Sequence, residues 1–508
     1  MEKKSLASST ILILILTFIG YVVSLTTQVL IANYFGTSAV LDAFVIASII
    51  PNIFYGTMSA IFFTLLIIVV TEYMHKEKDI SILLKPLSTI IIMILIIITG
   101  IIIVLAPYMA RLLGSNFDIE TIKTTSNLIR VLTLASFFLG LTTITTAILH
   151  IKKKFFTPAL LRIFLGVGIV FTILLFVDEF GIYTLAAGTL LGAVLAFILQ
   201  LFELKKEINW LDLAWEWSNP YIKHLFVLAI PLVIYTVFFY LNKSLNSILA
   251  AGLPAGNIAI LNYAFILISF PVILLSGSLA ITLFPTLRES VVLNKNISDI
   301  VTKAFSVMIY LFIPITALFF LFGKNIVQIL FERGAFTAET TMFVTNAVLF
   351  YSVGLVAYGV HSIIIKILYS LKKLNAQTYL MILLFAANLV LSIIFMQFLK
   401  ANGLALGFAV SHWFVVCIGI LYINKKIDLS LRVLLGKALK TSVATTGLII
   451  TAMILFFFID INQESLILKI FMICFIAGCS VVMFIIMSII LRISELDLLI
   501  EKAKCVIK

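Results

Sequence analysis

Long apolar runs that recur along the whole chain constrain its fold more than any other feature of the sequence. Residues 90–106 and 465–491 are two examples, and each is long enough to cross the roughly 30 Å of hydrocarbon in a bilayer. Hydrophobic residues make up 63% of the 508 residues and charged residues only 11%, too few charges to cover a soluble protein. The runs are too long for the strands of a membrane barrel, and helices satisfy backbone groups in lipid. The sequence therefore predicts an all-α polytopic membrane protein.

The apolar runs divide into about fourteen predicted spans. They are 8–34, 38–72, 82–113, 120–150, 156–177, 181–204, 220–253, 257–291, 296–322, 339–371, 373–399, 403–424, 432–458 and 464–492. Of the 35 Lys and Arg residues, 27 fall in the two terminal tails, the even-to-odd loops or their flanks, 6 fall on the opposite side, and Arg130 and Lys243 fall inside spans. This alternation places both termini in the cytoplasm by the positive-inside rule. It also explains the net charge of +12 without a nucleic-acid partner.

The chain contains an internal duplication. Residues 36–51 align without gaps with residues 256–271, at an offset of 220. Residues 147–154 resemble 366–373 at an offset of 219, and the stretch from Gly181 resembles that from Gly403 at an offset of 222. Six spans fit within one repeat, and an even number returns the chain to the same side of the membrane. The sequence therefore predicts two parallel-repeat six-helix lobes followed by two additional helices.

The duplication sets the predicted domain boundaries. They are an N-terminal lobe at 1–204, a cytoplasmic interfacial linker at 205–219, a C-terminal lobe at 220–424, and the last two helices with a cytoplasmic tail at 425–508. Two facing lobes suit alternating access, in which a cavity between them opens to either side. The second helix of each lobe carries an internal proline, Pro51 or Pro271, which is either a fixed bend or a hinge for lobe motion.

Polar residues inside apolar spans are the candidates for function, because they are costly in a bilayer. Ser24 and Gln28 share one face of the first span, and Lys243 and Asn246 share one face of the seventh. The hydroxyls and amides either line a cavity or hold neighbouring helices together. Lys243 lies ten residues from the predicted outer end of its span, about 15 Å deep. We expect it to line a hydrated cavity in which its ammonium binds a phosphate group.

Two further ionisable residues are candidates for the same cavity. Arg130 lies in the fourth span, where it either lines the cavity or sits near the membrane interface. Asp42 begins the second span, where its carboxylate either favours a helix N-terminus or couples to a cation or to Lys243. The sequence holds no paired-carboxylate cluster, phosphate-binding loop or metal-ligand spacing of its four cysteines. We therefore expect a transporter with no catalytic residues, metal or cofactor, rather than an enzyme.

Several stretches are similar to one known family. SLASS, ANYFGTSAVLDAFVIASIIPNIF and TEY, within residues 5–73, resemble the opening of the MurJ (MviN) family of the multidrug/oligosaccharidyl-lipid/polysaccharide exporter superfamily. The resemblance continues with SILAAGLPAGNIAILNYAF, FPTL at 284–287 and LFERGAFTAETT at 330–341. ILYSLKKLNAQT and NGLALGFAVS follow in the family order, so the resemblance covers essentially the whole chain.

The resemblance implies a flippase for undecaprenyl-pyrophosphate-linked sugars, most often the peptidoglycan precursor lipid II, in the bacterial plasma membrane. It implies a cavity lined by the first, second, seventh and eighth helices, and a groove beside the last two helices for the lipid tail. The family carries cavity arginines for the diphosphate, whereas the matching positions here are Tyr21, Thr27, Tyr55, Gly56 and Ile266. Asp42 and Asn52 are retained, and Asn262 aligns with Asp42 in the repeat. Either Lys243, helped by Arg130, replaces the lost charge, or this member handles a different substrate.

Lipid II is therefore the leading substrate, moved from the inner to the outer leaflet. A capsular or exopolysaccharide repeat unit is the alternative, and a drug or cation antiporter a weaker one. A membrane glycosyltransferase is disfavoured, because the predicted exterior loops are too short for a catalytic domain. Beyond its substrate and membrane lipids, we expect a monomer that works with cell-wall or polysaccharide synthesis machinery.

Overall fold

The protein is all-helical in the part of the chain that the structure describes. The computed structural model describes residues 2–74, 81–204, 220–293, 296–459, 466–498 and 500, and these contain no strand. The helices are α1 (Glu2–Phe35), α2 (Ala39–Met74), α3 (Ser81–Leu113), α4 (Ile119–Ile151), α5 (Phe156–Ala159), α6 (Leu161–Phe180), α7 (Tyr183–Leu204), α8 (Pro220–Ala250), α9 (Asn257–Val292), α10 (Ser298–Phe331), α11 (Ala338–Ser352), α12 (Leu355–Ser370), α13 (Leu374–Leu399), α14 (Ala401–Ile427), α15 (Leu431–Phe458) and α16 (Leu466–Ile490). The predicted linker at 205–219 lies outside the described residues.

Thirteen described helices are long and apolar enough to cross a membrane, and a bent pair makes the fourteenth when it is counted as one span. The pair is α11 and α12, which meet at an angle of 53°. The fold class is thus confirmed, and the span predicted over 339–371 corresponds to this pair, whose break the sequence did not predict. Gly354 lies at the break, where a Cβ atom would stand 2.5 Å from the Cα atom of Ala409. The bare backbone of the break therefore packs directly against α14.

The ninth predicted span ends too early. It was expected over 296–322, whereas α10 continues to Phe331. Polar residues in the added turns find partners inside the protein: Gln328 donates to Glu332 at 3.0 Å and accepts from Lys469 at 2.6 Å. These hydrogen bonds offset most of the free-energy cost of burying the polar side chains of the added turns. The apolar character of the sequence does not record such partners, and the end of the helix was therefore predicted too early.

The backbone repeats itself at an offset of 219. Gly181 and Lys400 both end a helix with φ near 50° and ψ −129°. Lys153 and Lys372 are both left-handed, at φ 58° and φ 56°. Gly181 is thus equivalent to Lys400, and the offset of 222 inferred from Gly403 is three residues too large.

The helix N-termini follow the same repeat. The Asp118 carboxylate accepts from the backbone N–H of Thr121 at 3.0 Å before α4. The Thr337 hydroxyl accepts from the N–H of Thr340 at 3.3 Å before α11. Each side chain satisfies one of the donors that a helix start leaves unpaired. In the exposed Asp118, the bonds from the Thr121 hydroxyl and backbone lower the pKa of the carboxyl.

Contacts divide the chain into two compact units. The first holds Met1–Ala259 with Arg333–Phe336, and within it α2 packs against α4 and α8. The second holds Ile260–Glu332 and Thr337–Lys508, and within it α10 packs against α15. The first unit includes α8, which the duplication assigns to the second repeat, and the predicted lobe boundaries stay a prediction.

In the second unit the last two helices pack on α10. Tyr310 donates to Ser488 at 3.2 Å, and the rings of Tyr310 and Phe484 lie 5.2 Å apart. Lys437 and Glu495 form an ion pair beside this cluster. An apolar groove of about 390 Å³ lies between α10 and α15, lined in part by Phe320 and Thr445.

Candidate functional site

Lys243 lies on α8 in the first unit. Its side chain is exposed to solvent and yet surrounded by protein atoms. This combination is typical of a side chain that lines a recess. Asn242 and Asn246, on the same helix, are each only 5% exposed. The charge that acts on the Lys243 ammonium is the guanidinium of Arg162. Two cations therefore lie within electrostatic range of each other in membrane-spanning helices.

Arg162 is the residue that the sequence analysis missed. It is the second residue of α6, inside a span, and is one of the 27 basic residues that the charge distribution assigns to the cytoplasmic side. Its guanidinium carbon lies 4.3 Å from the centroid of the Tyr21 ring on α1. The stem of Arg162 passes Gly20, where a Cβ atom would stand 3.0 Å from its Cδ atom. A cation–π contact thus fixes the Arg162 charge beside α1.

Helix α6 lies against the face of α1 on which the resemblance expects a cation. Thr27 is 4% exposed, and its hydroxyl donates to the Val23 and Gly166 carbonyls at 2.9 and 3.5 Å. An arginine at position 27 would have to displace α6. The guanidinium beside this face of α1 instead belongs to Arg162, a residue of α6.

Tyrosines occupy the corresponding face of α2. Tyr55 is hydrogen-bonded to Ser59 and Thr143 and lies within electrostatic range of Arg162. Tyr240 of α8 lies next to Tyr55 and covers Gly56, where a Cβ atom would stand 2.0 Å from the Tyr240 ring. A side chain at position 56 would therefore require the Tyr240 ring to move.

Asp42 is buried, at 1% exposure, where α2 begins. One of its carboxylate oxygens accepts from the backbone N–H of Gly256 at 2.6 Å, and the other from the N–H of Ala259 at 2.8 Å. These donors belong to the start of α9, so Asp42 caps the helix that is the repeat equivalent of its own. The sequence left two roles open for Asp42, and this contact corresponds to the first, the stabilisation of a helix N-terminus. The helix is α9 rather than α2.

The other predicted residues are spread over several places. Ser24 and Gln28 are half-buried on α1, Asn262 is half-buried on α9, and Asn52 is exposed on α2. Arg130 donates to Asn127 at 3.1 Å and to the Ile103 carbonyl at 3.5 Å, which ties it to α3 and α4.

The two prolines lie inside long helices. The Pro51 carbonyl accepts from the Ser136 hydroxyl at 3.1 Å, and Pro271 is half-buried in α9. Their hinge role stays a prediction.

The arrangement is suited to binding an anion. Among the described residues neither Arg162 nor Lys243 forms an ion pair, and no group of three His, Cys, Asp or Glu side chains could hold a metal ion. Guanidinium and ammonium groups in a low-dielectric surrounding are the usual ligands of phosphate oxygens. Tyr21, Tyr55 and Tyr240 add hydroxyls and ring faces beside the two charges.

Known proteins are similar to this chain along most of its length. A relative from Borreliella burgdorferi, described as a probable lipid II flippase MurJ, is 25% identical over 430 residues, which are 82% of each chain. The solved structure of a lipid II flippase MurJ in an inward closed conformation has a TM-score of 0.79 at 23% identity, covering 95% of this chain and 99% of that one. An inward-facing multidrug resistance MATE family transporter has a TM-score of 0.65 at 16% identity, covering 82% and 98%. A family model described as "Lipid II flippase MurJ" matches residues 31–477, and the chain therefore belongs to the MurJ family.

Proposed function

We propose that this protein translocates an undecaprenyl-pyrophosphate-linked saccharide, lipid II in the first place, from the inner to the outer leaflet of the bacterial plasma membrane by alternating access. Membership of the MurJ family supports the class of substrate. The distribution of basic residues supports cytoplasmic termini. The apolar groove between α10 and α15 supports the part of the proposal in which the prenyl chain is held beside the last two helices.

The observation that carries the proposal is the pair of cations formed by Arg162 and Lys243. Two positive charges within range of each other repel, and within a membrane each costs several kcal/mol unless an anion accompanies it. A diphosphate supplies at least two negative charges on one small group. Its oxygens accept hydrogen bonds both from the paired N–H groups of a guanidinium and from an ammonium. The pair is therefore the expected anchor for the diphosphate.

A flipping assay with purified protein in proteoliposomes tests this assignment. We expect Arg162→Gln and Lys243→Gln each to lower the rate of lipid II translocation about tenfold or more, since each removes a charged hydrogen-bond partner. Lys243→Ala should abolish flipping, whereas Lys243→Arg and Arg162→Lys, which keep the charge, should retain part of it. Arg130→Gln is the matched control, because it removes a membrane cation that is held by α3 and α4. Wild-type rates in both glutamine variants would refute the cation pair as the anchor.

A second candidate substrate is the lipid-linked repeat unit of a capsular or extracellular polysaccharide. The tyrosines at positions 21 and 55, where the family resemblance expects arginines, favour this alternative. Complementation of a strain depleted of its lipid II flippase separates the two substrates. Failure to complement, with normal amounts of protein in the membrane, would favour the polysaccharide unit.

A further inference from the structure

A second basic site lies far along the chain from the cation pair, in the second unit. It is a cavity of about 400 Å³ where α12 and α14 end and α10 begins. Lys373, Lys426, Tyr422 and Asn296 line it together with the apolar side chains of Leu368 and Ile423. This volume is within the roughly 300–1,000 Å³ range of small-molecule pockets.

The wall of the cavity is fixed by hydrogen bonds of the backbone. The N–H of Lys373 donates to the Leu368 carbonyl at 2.9 Å, which closes the turn after α12. The Ser298 hydroxyl donates to the Asp428 carbonyl at 2.9 Å and joins the start of α10 to the end of α14. The Asn296 side-chain oxygen accepts from the Ser298 N–H at 2.9 Å, so its amide NH₂ is the end left to donate. The site is thus built from three chain segments rather than from one flexible loop.

The position of the cavity identifies the kind of ligand. Helix ends rich in lysine mark the side of a membrane protein that faces the cytoplasm and its anionic lipids. A lysine pair, a phenol and an amide suit a phosphate group, and the leucine and isoleucine beside them suit the start of an acyl chain. A soluble phosphate metabolite would leave that apolar wall unused.

We propose that this cavity binds the phosphate headgroup of an anionic phospholipid, held by Lys373 and Lys426. The bound lipid bridges the ends of α12 and α14 at the start of α10. The site is separate from Arg162 and Lys243, and it stands whether or not the protein flips lipid II.

Binding of fluorescent phosphatidylglycerol to the full-length protein in detergent tests the proposal, with phosphatidylcholine as the neutral comparison. We expect Lys373→Gln/Lys426→Gln to weaken phosphatidylglycerol binding about tenfold or more, since these two lysines line the cavity and supply its positive charge. The matched control is Lys372→Gln/Lys425→Gln, which removes two neighbouring exposed lysines that do not line the cavity. It should keep the affinity within about twofold, and Lys373→Arg/Lys426→Arg should keep it as well.

Three results would overturn the site. One is an equal loss of affinity in the glutamine pair and its control, which would indicate diffuse surface charge. Another is equal binding of phosphatidylglycerol and phosphatidylcholine by the wild-type protein. The third is displacement of phosphatidylglycerol by an equal concentration of inorganic phosphate, which would make the cavity a phosphate site without a lipid.

Discussion

The two copies of the internal repeat share the geometry of their helix ends but not the side chains found there. Gly181 and Lys400 have nearly identical backbone angles, although one residue has no side chain and the other a long charged one. Asp118 and Thr337 cap equivalent helices, one with a carboxylate and one with a hydroxyl. The two copies thus share where their helices begin and end, while the side chains at those positions differ.

The copies differ in shape at one place. Helix α4 runs unbroken over 33 residues, whereas its equivalent is divided into α11 and α12 with a bend of 53°. The position equivalent to Gly354 is Ala135, which is 1% exposed inside the continuous helix. One copy is thus stiff where the other is kinked.

They also differ in charge. Arg162 has Met381 as its equivalent at an offset of 219, and Met381 is 1% exposed. Lys243 has Val23 as its equivalent at an offset of 220. Neither cation of the proposed anchor has a charged equivalent in the other copy, although Arg162 lies in the first copy and Lys243 in the second.

The largest effect on stability is expected at two equivalent turns, which we call the corners: Gly36 between α1 and α2, and Gly256 between α8 and α9. Gly36 and Gly256 are left-handed, with φ 53° and φ 92°. A Cβ atom would stand 2.4 Å from the Ala335 carbonyl oxygen in the first case and 2.6 Å from the Thr37 carbonyl oxygen in the second. Gly36→Ala and Gly256→Ala should each lower the free energy of unfolding by about 3 kcal/mol, from backbone strain and a contact that cannot relax. Equilibrium denaturation in detergent measures it.

Gly277→Ala is the control for both corners, because Gly277 is in a helix and nothing lies within 4 Å of its Cβ position. It should not lower the free energy of unfolding, and the helix preference of alanine should raise it by up to about 1 kcal/mol. A large loss at one corner and none at the other would break the equivalence of the two copies there.

A smaller effect is expected at Asp42, where the copies carry different residues. The carboxylate accepts two backbone N–H groups, and an amide offers only one acceptor oxygen to the same two donors. Asp42→Asn should therefore cost about 2 kcal/mol of unfolding free energy. Asn262→Ala, at the half-buried equivalent, should cost less than about 1 kcal/mol. Full stability of Asp42→Asn together with loss of flipping would instead indicate that Asp42 acts in transport.

Most of the fold could be predicted from the sequence, because a bilayer permits few structures and the apolar runs are long. The span α9 was expected over 257–291 and ends one residue later. The bend between α11 and α12 could not be predicted, since Gly354 at the break packs against Ala409 of α14, about fifty residues further along the chain. Sequence composition does not record such a contact.

The site was less predictable than the fold. Lys243 stood out because a lysine deep in an apolar run is unusual and costly. Arg162 did not, since an arginine near the start of a span looks like a flanking residue until the position of its guanidinium is known. Its contact with Tyr21 joins residues 141 positions apart in the sequence. The helix-capping role of Asp42 likewise required the position of α9.

Gly181 and Lys400 allow a direct exchange of two residues that share one backbone geometry, with a small expected effect on stability. Angles near φ 50° and ψ −129° favour glycine and strain a residue with a Cβ atom. Lys400→Gly should therefore raise the free energy of unfolding by about 1 kcal/mol, after the greater entropy of glycine in the unfolded chain is subtracted. Gly181→Lys should lower it by a similar amount, since nothing lies within 4 Å of its Cβ position.

The double variant Gly181→Lys/Lys400→Gly provides the internal check. If both positions differ from their neighbours only in backbone strain, the two changes cancel and the double variant unfolds within about 0.5 kcal/mol of the wild-type protein. A double variant clearly less stable than that would mean that the Lys400 side chain contributes contacts of its own. In that case the two helix ends would differ in their contribution to the free energy of unfolding as well as in residue type. Contacts of the lysine side chain, rather than the backbone geometry alone, would then explain why a lysine is tolerated at position 400.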